Sequence, residues 1–220
     1  MSVKNQFSKY AKEYKNHNII QQIVAKSLVR ELKFQPKRIL ELGCGSGQVY
    51  NHISWDLDFY KAIDFSSSMC ELHPKAQNVE VKCFDFDTQE FLDEIKDNDY
   101  EIVLSSSALQ WSKDLSKIIK HLAYITKEIN AVLFTSNTFK TIQEITNTKS
   151  PILDELSIKE AFSKYFTCEF ETIMYKLEFD NKKDLFDYIK KSGVSGGNAS
   201  LDFADAKKLY KEYNLNYLEF

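Results

Sequence analysis

The chain has 220 residues, a formal net charge of -3 and 43% hydrophobic residues, which suits one compact domain with a buried core. The mildly acidic charge argues against a general nucleic-acid-binding protein, because such proteins carry basic surfaces. No apolar run approaches the about 18 residues of a membrane span, and the N-terminus has no apolar signal core, so we expect a cytoplasmic protein with no membrane partner. The four cysteines form no Cys-x-x-Cys pair, so we expect neither a disulfide framework nor a metal site.

Helix-like and strand-like segments alternate along much of the chain. A helical pattern over 5–33 comes first, and five strands follow, at 38–42, 59–63, 79–84, 100–104 and 130–135. Helices are predicted between these strands, at 48–53, from Ser66 onward, at 90–95 and at 115–126. This alternation over a core of 37–136 predicts an α/β fold, with an open parallel sheet and helices on both faces.

The pattern changes after residue 140. A helix at 157–166, a long strand at 168–179 and helices at 183–191 and 203–213 are predicted. A last predicted strand begins at Tyr217, and the sequence ends within it.

The six glycines fall into two groups, one at 43–47 and the other at 193–197. The first group lies in a loop that follows the first strand and precedes a helix, with the spacing Gly-x-Gly-x-Gly. This spacing matches neither the Gly-x-Gly-x-x-Gly of dinucleotide sites nor a phosphate-binding loop. Asp64 follows Gly43 by 21 residues at the end of the next strand, where an acid can hold ribose hydroxyls. A ligand with a ribose but no pyrophosphate is therefore indicated.

Four groups of residues fall at the carboxyl ends of predicted strands: the glycine loop, Asp64, Asp85 and the serines at 105–107. Ligands of open parallel sheets bind at this edge. We expect the four groups to converge in space.

Three segments carry a resemblance to class I S-adenosylmethionine-dependent methyltransferases: ILELGCGSG (39–47), AIDFSSSM (62–69) and KCFDFD (82–87). The resemblance implies a Rossmann-like, mostly parallel seven-stranded sheet with a small helical lid at about 181–211. It also implies that residues 1–220 form a single methyltransferase domain that binds S-adenosylmethionine.

The resemblance further implies which residues bind this cofactor. Gly43 and Gly45 would line its methionine and ribose part, Asp64 would hold the ribose, and Phe65 and Met69 would pack near adenine. Asp85 would accept a hydrogen bond from the adenine amine, and Phe86 would offer its backbone N–H. The cofactor-binding set also includes Tyr14, Glu41, Cys44 and Ser105. Cys44 is interpreted as a small residue of the turn and not as a nucleophile.

Two further segments, SSSALQWSKDL (105–115) and 7–28, resemble the malonyl-acyl-carrier-protein O-methyltransferases of biotin synthesis, and so does LFDYIKKSGVSGG (185–197). That family usually has an asparagine where this chain has Ser106. The substrate-binding residues implied by the resemblance are His17, Gln21, Gln110 and Trp111. Two alternatives stay open: methylation of a free small polycarboxylic acid such as trans-aconitate, and a catalytically inactive cofactor-binding protein.

Methylation of a carboxylate requires no general base, because the carboxylate is already ionised at neutral pH. We therefore assign no catalytic residue and expect the protein to act by proximity and alignment. The lid region at 181–211 contains seven lysines against four aspartates in a chain of net charge -3. This local basic surface is the kind that an acidic acyl-carrier protein would dock on.

Overall fold

The computed structural model describes residues 18–96, 99–191 and 203–220. These residues fall into two compact units. The larger unit comprises 19–133 and 158–168, and the smaller comprises Asn18, 134–157 and the described residues after 168. The single methyltransferase domain over 1–220 stays a prediction.

The helices and strands are numbered here in chain order. They are α1 (Ile19–Arg30), β1 (Arg38–Leu42), β2 (Phe59–Asp64), α2 (Ser67–Leu72), β3 (Val79–Cys83), α3 (Gln89–Ile95), β4 (Ile102–Ser106), α4 (Leu115–Ile125), β5 (Ile129–Val132), α5 (Lys140–Thr146), α6 (Glu155–Ser163), β6 (Lys176–Glu178), α7 (Lys182–Lys191), α8 (Phe203–Glu212) and β7 (Tyr217–Glu219).

The larger unit contains a five-stranded parallel sheet with the order β3-β2-β1-β4-β5. After β1 the chain adds β2 and β3 on one side, and it then crosses to add β4 and β5 on the other side. The strand order therefore reverses between β1 and β4. A crevice for ligands opens at the carboxyl ends of the strands at such a reversal, and the glycine loop lies there.

Apolar side chains on both faces of this sheet are buried. Leu40 and Leu42 of β1 pack on one face in a cluster that includes Phe91 of α3, and Ile39 packs on the other face with Leu28 of α1. Side chains of a strand alternate between the faces of a sheet. The helices therefore cover both faces, as the alternation predicted, and the Rossmann-like α/β class is confirmed.

The prediction of a seven-stranded sheet was wrong for the described residues, because β6 and β7 pair with each other as a separate antiparallel sheet. Tyr175 and Phe220 exchange two backbone hydrogen bonds of 2.9 Å, and the amide of Phe179 donates to the carbonyl of Asn216 across 2.7 Å. The backbone groups of this pair are thus satisfied within the smaller unit.

Three segments differ from their predictions. The long strand predicted at 168–179 is reduced to β6, and the side chains of Ile173 and Met174 before it are 69% and 70% exposed. The helix predicted at 48–53 is a single 3₁₀ turn at Tyr50–His52. Helix α5 was not predicted, whereas α7 and α8 confirm two helices in the region predicted as a lid.

Candidate functional site

The glycine loop and the end of β2 are joined by backbone hydrogen bonds. The amides of Gly43 and Cys44 donate to the carbonyl of Ile63 across 2.7 and 3.0 Å. The amide of Gly45 donates to Asp64 Oδ2 across 2.9 Å, and the amide of Ser66 donates to Asp64 Oδ1 across 2.8 Å. The predicted convergence of the glycine loop with Asp64 is therefore present in the structure. Ser66, which holds the second carboxylate oxygen, was not identified from the sequence.

All three glycines of the loop have a positive φ, of 74° at Gly43, 52° at Gly45 and 88° at Gly47, which favours glycine. A methyl group at Gly43 would overlap the methyl group of Ala108, and one at Gly47 would lie 2.5 Å from Pro74 Cδ. At Gly45 the nearest atom would be Gln48 Oε1, at 3.1 Å. Gly43 and Gly47 therefore accommodate neighbouring protein, and Gly45 leaves the most space for a ligand.

Asp64 is 6% exposed. Burial raises its pKa to about 6, because the buried carboxylate loses hydration, while hydrogen bonds from the Ser66 and Gly45 amides lower the pKa. Asp64 is thus mainly ionised at neutral pH. Each carboxylate oxygen has two lone pairs, so the two amides leave capacity for hydroxyl donors from a ligand.

Glu41 lies one residue before the loop and is 1% exposed. Burial raises its pKa to about 8, and the hydroxyl of Tyr60 donates to Glu41 Oε2 across 2.5 Å. His73 Nε2 lies 4.0 Å from the same oxygen. Glu41 is therefore mainly protonated at neutral pH and belongs to a buried polar pair. Its contact with a cofactor stays a prediction.

The segment after β3 combines an exposed acid with buried apolar side chains. Asp85 is exposed, and its Oδ1 accepts a 3.0 Å hydrogen bond from the amide of Asp87. Phe86 is 8% exposed, and Met69 of α2 is 2% exposed. Phe65, directly after β2, is half-buried. An exposed carboxylate beside apolar side chains suits an aromatic ring that carries an amine.

The segment after β4 lies against the glycine loop. The hydroxyl of Ser105 donates to the carbonyl of Leu42 across 2.9 Å, and Ala108 packs on Gly43. Gln110 is buried and Trp111 is half-buried, in a 3₁₀ turn at Leu109–Trp111. The serine hydroxyl thus connects β4 to the end of β1. Gln110 and Trp111 lie a few residues further along the chain, in the turn after Ala108.

Asp87 holds the residues that directly precede α4. Its Oδ1 accepts a hydrogen bond from the Ser112 hydroxyl across 2.8 Å, and both its oxygens accept from the amide of Lys113 across 3.1 Å. Asp87 was not identified from the sequence as a site residue. Asp87 is the last residue of the segment KCFDFD, but its hydrogen-bond partners Ser112 and Lys113 can be seen only in the folded structure.

Four further residues were predicted to belong to the site: Tyr14, His17, Gln21 and Cys44. Tyr14 and His17 lie outside the described residues, and Gln21 is buried on α1 at 6% exposure. Cys44 is 1% exposed, and burial raises the pKa of its thiol well above its usual range. These properties agree with a small turn residue that is not a nucleophile.

Among the described residues, no three or more side chains of His, Cys, Asp or Glu are grouped so as to hold a metal ion. Within the same residues, no helix has the length and apolar character needed to cross a membrane.

Residues 40–133 match the family model described as "Methyltransferase domain". This range runs from within β1 to the end of β5 and contains the glycine loop, Asp64, Asp85 and the segment after β4, whereas Gln21 on α1 lies outside it. The chain carries a methyltransferase domain. The resemblance seen in the three sequence motifs is therefore confirmed.

Two relatives share most of the length of the chain. The malonyl-[acyl-carrier protein] O-methyltransferase of Bacillus cereus is 26% identical over 89% of this chain and 81% of its own length. The enzyme of the same name from Haemophilus influenzae is 25% identical over 89% of this chain and 78% of its own length. The similarity thus extends beyond the methyltransferase domain model.

Two solved structures share the fold. A chain in a complex between a methyltransferase activator and a methyltransferase of Haloferax volcanii superposes with a TM-score of 0.64 and 14% identity, covering 89% of this chain and 94% of that chain. The magnesium protoporphyrin IX methyltransferase of Synechocystis, solved with bound S-adenosylhomocysteine, superposes with a TM-score of 0.57 and 15% identity, covering 74% and 87%. The methyltransferase domain therefore has the class I fold.

Proposed function

We propose that this protein is a cytoplasmic carboxyl O-methyltransferase. It transfers the methyl group of S-adenosylmethionine to the free carboxylate of a malonyl group carried by an acyl-carrier protein, a step toward a biotin precursor. The observation that supports S-adenosylmethionine as the cofactor is the contact between Gly45 and Asp64 at the edge of the sheet. Similarity to malonyl-[acyl-carrier protein] O-methyltransferases over 89% of the chain supports the acceptor.

The residues of the site fit this cofactor. Asp64 is mainly ionised and would accept from the ribose hydroxyls beside its backbone amide donors, and Gly45 next to it leaves space for the ligand to lie against the backbone. Asp85 would offer an exposed carboxylate to the adenine amine, next to the buried Phe86, and the buried Met69 of α2 would pack near adenine. The proposed site would thus combine an acceptor for the ribose, an acceptor for the base and apolar side chains.

S-adenosylmethionine supplies a methyl group on a sulfonium, which an acceptor carboxylate attacks in line while a neutral thioether leaves. The malonyl carboxylate is ionised at neutral pH, so no residue of this chain needs to remove a proton. The protein positions the two reactants and excludes water. Gln21 and Gln110, together with His17, would hold the acceptor. The ring of Trp111 or of Tyr14 would face the sulfonium, a cation–π contact of about 0.5–2 kcal/mol.

The acceptor is tested by incubating the protein with S-adenosylmethionine and one acceptor at a time: malonyl-acyl-carrier protein, trans-aconitate or none. We expect S-adenosylhomocysteine to form with the malonyl-loaded carrier, and the mass of that carrier to increase by one CH₂. Turnover with trans-aconitate alone would instead support the free-acid alternative. No turnover with any acceptor, despite cofactor binding, would indicate an inactive cofactor-binding protein.

We further propose that the basic region at 181–211 docks the acidic carrier. Among the described residues of this region, α7 and α8 are helical, and residues 192–202 lie outside the described part of the chain. We expect the double substitution Lys190→Glu with Lys191→Glu to raise the KM for malonyl-acyl-carrier protein, because it repels an acidic partner. The matched control, Lys117→Glu with Lys120→Glu on the exposed side of α4, makes the same charge change elsewhere. An unchanged, salt-insensitive KM in the α7 variant would exclude docking at this position.

A further inference from the structure

Three of the four cysteines are linked by side-chain hydrogen bonds near the end of β2, and we name them the thiol cluster: Cys44, Cys70 and Cys83. Cys70 Sγ lies 3.6 Å from the carbonyl oxygens of both Asp64 and Lys82, and Cys83 Sγ lies 3.6 Å from the carbonyl oxygen of Phe65. Asp64 and Cys83 are also register partners in the pair β2–β3. The thiol of Cys83 also makes a side-chain hydrogen bond with Cys70, so these two thiols lie close together.

The three thiols differ in access to solvent. Cys44 is buried, Cys70 is half-buried and Cys83 is exposed. Hydrogen bonds from the thiols of Cys44 and Cys83 lower the pKa of Cys70 below its usual value, Cys44 being the larger cause. A lowered pKa increases the thiolate fraction, which is the reactive form. Cys70 is thus the nucleophilic thiol of the cluster, and Cys83 is its solvent-accessible neighbour.

We propose that Cys70 and Cys83 form a reversible disulfide when the protein meets a low-molecular-weight disulfide such as oxidised glutathione, and that this bond weakens binding at the adjoining cofactor site. The second half of this proposal rests on the proposed function, because it takes S-adenosylmethionine as the ligand of that site. The first half does not depend on it.

The exchange takes two steps. The Cys70 thiolate attacks one sulfur of oxidised glutathione, the S–S bond of the oxidant breaks, and one glutathione thiolate leaves. Cys83 then loses its proton to solvent, and its thiolate attacks Cys70 Sγ and expels the second glutathione thiolate. The two protein thiols are oxidised, the reagent disulfide is reduced to two thiols, and their two protons come from Cys70 and Cys83.

The new bond would act directly on the cofactor site. Both thiols would lose their present contacts to the carbonyl oxygens of Asp64, Lys82 and Phe65. The bond would also join α2 to the end of β3. Met69, which precedes Cys70 on α2, is buried near the predicted adenine position. A displacement of α2 therefore changes the positions of Met69, Phe65 and the Asp64 carbonyl together.

The experiment combines intact mass with binding of S-adenosylhomocysteine, a probe that does not turn over. Protein treated with oxidised glutathione should lose the mass of two hydrogen atoms, and peptide mapping should locate the bond between Cys70 and Cys83. Binding of S-adenosylhomocysteine should weaken about tenfold and recover with a dithiol reductant. By linkage, the same ligand added beforehand should disfavour disulfide formation by a similar factor.

Four variants make the test specific. Cys70→Ser and Cys83→Ser should each prevent the bond, whereas Cys168→Ser, whose thiol contacts Phe166, should still form it. Cys44→Ser should also form it, which separates the buried thiol from the bonding pair. Cys83 is exposed, so its serine variant is expected to fold even if the Cys70 variant does not.

The outcomes separate the two proposals. A bond between Cys44 and Cys70, or only a mixed disulfide with glutathione, would overturn the assigned pair. A Cys70–Cys83 bond with unchanged binding would overturn the switch, while binding by the reduced protein would leave the proposed cofactor intact. If the reduced protein does not bind S-adenosylhomocysteine at all, the proposed function and the switch both fail, and the mass measurement still decides the disulfide.

Discussion

The amide of Gly45 donates a 2.9 Å hydrogen bond to the carboxylate of Asp64, 19 residues further along the chain. The other carboxylate oxygen accepts from the amide of Ser66. One side chain therefore fixes the conformation of the glycine loop and the turn after β2, and the same side chain is the proposed acceptor of the ribose hydroxyls.

We expect Asp64→Asn to weaken S-adenosylhomocysteine binding by roughly 10- to 100-fold, because hydrogen bonds to a charged group contribute about 1.5–3 kcal/mol each. In addition, the NH₂ group of the new asparagine would point at one of the two backbone N–H donors, so that two donors would face each other. Binding calorimetry would measure the change. Asp93→Asn, on the exposed side of α3, is the matched control. An affinity equal to that of the unmodified protein would rule out the ribose assignment.

Cofactor binding should weaken as the pH falls through about 6. The pKa of Asp64 is raised to about 6 by burial, and protonation removes the negative charge and turns one acceptor oxygen into an O–H donor. The ionised fraction therefore falls as the pH decreases from neutral, and the apparent affinity falls with it. Titrations of S-adenosylhomocysteine between about pH 5 and 8 would show this decrease. An equal decrease in the Asp64→Asn variant would assign it to another group.

Glu41 should make the protein less stable as the pH rises. Its pKa is 4.5 in the unfolded chain and about 8 in the folded protein. The stabilisation from the protonated carboxyl is therefore complete below about pH 4.5 and is lost as the pH rises through about 8. We expect Glu41→Gln, which stays neutral, to become more stable than the unmodified protein above neutral pH, by roughly 1–3 kcal/mol.

Urea unfolding at several pH values would measure this difference. Glu71→Gln, at an exposed position of α2, should follow the unmodified protein at every pH. If the Glu41 variant kept a constant difference from the unmodified protein over the whole range, the buried carboxyl would not be the source of the pH dependence.

Gly43 and Gly45 of the loop should respond differently to an added methyl group. Gly43→Ala should lower the free energy of unfolding by roughly 1–3 kcal/mol, because the new methyl overlaps that of Ala108. The double variant Gly43→Ala with Ala108→Gly removes this overlap and should recover part of the loss, the positive φ accounting for the rest. Failure of the double variant to recover any stability would contradict this contact.

Gly45→Ala should lower stability less and cofactor binding more. Its new methyl group has Gln48 Oε1 as its nearest neighbour, at 3.1 Å, so little protein is displaced, but the methyl group would occupy space that we assign to the ligand. Urea unfolding and binding calorimetry on the same sample would separate the two effects. Unchanged binding of S-adenosylhomocysteine would place the ligand away from Gly45.

The five parallel strands could be predicted because each is a short segment with aliphatic residues that ends near a glycine, an aspartate or a serine. The signal is strongest in the central strands β1, β2 and β4, which are buried almost throughout. The smaller unit has no such signature. Helix α5 begins after Phe139, which has φ of 60°, and its Thr141 donates two hydrogen bonds to Glu219. A partner 78 residues away is not visible in a local pattern.

In the site, too, some features could be predicted from the sequence, whereas others depend on contacts between residues that are distant in the chain. The convergence of the glycine loop with Asp64 followed from the rule that ligands bind at the carboxyl ends of parallel strands. The reason for glycine at position 43 could not be predicted in this way, because it is the methyl group of Ala108, which lies in the segment after β4, 65 residues further along the chain. The raised pKa of Glu41 was not predictable either, because it results from burial in the folded protein, which outweighs the lowering effect of the hydrogen bond from Tyr60, 19 residues away.

The two carboxylates of the proposed cofactor site differ in their freedom to change. Asp64 is built into the loop and the turn around it, so altering it to accept a cofactor analogue with a modified ribose would require rebuilding both. Asp85 is exposed and accepts from one backbone amide of its own turn. Redesign toward base-modified cofactor analogues is therefore best begun at Asp85, where specificity can be varied with little effect on the sheet.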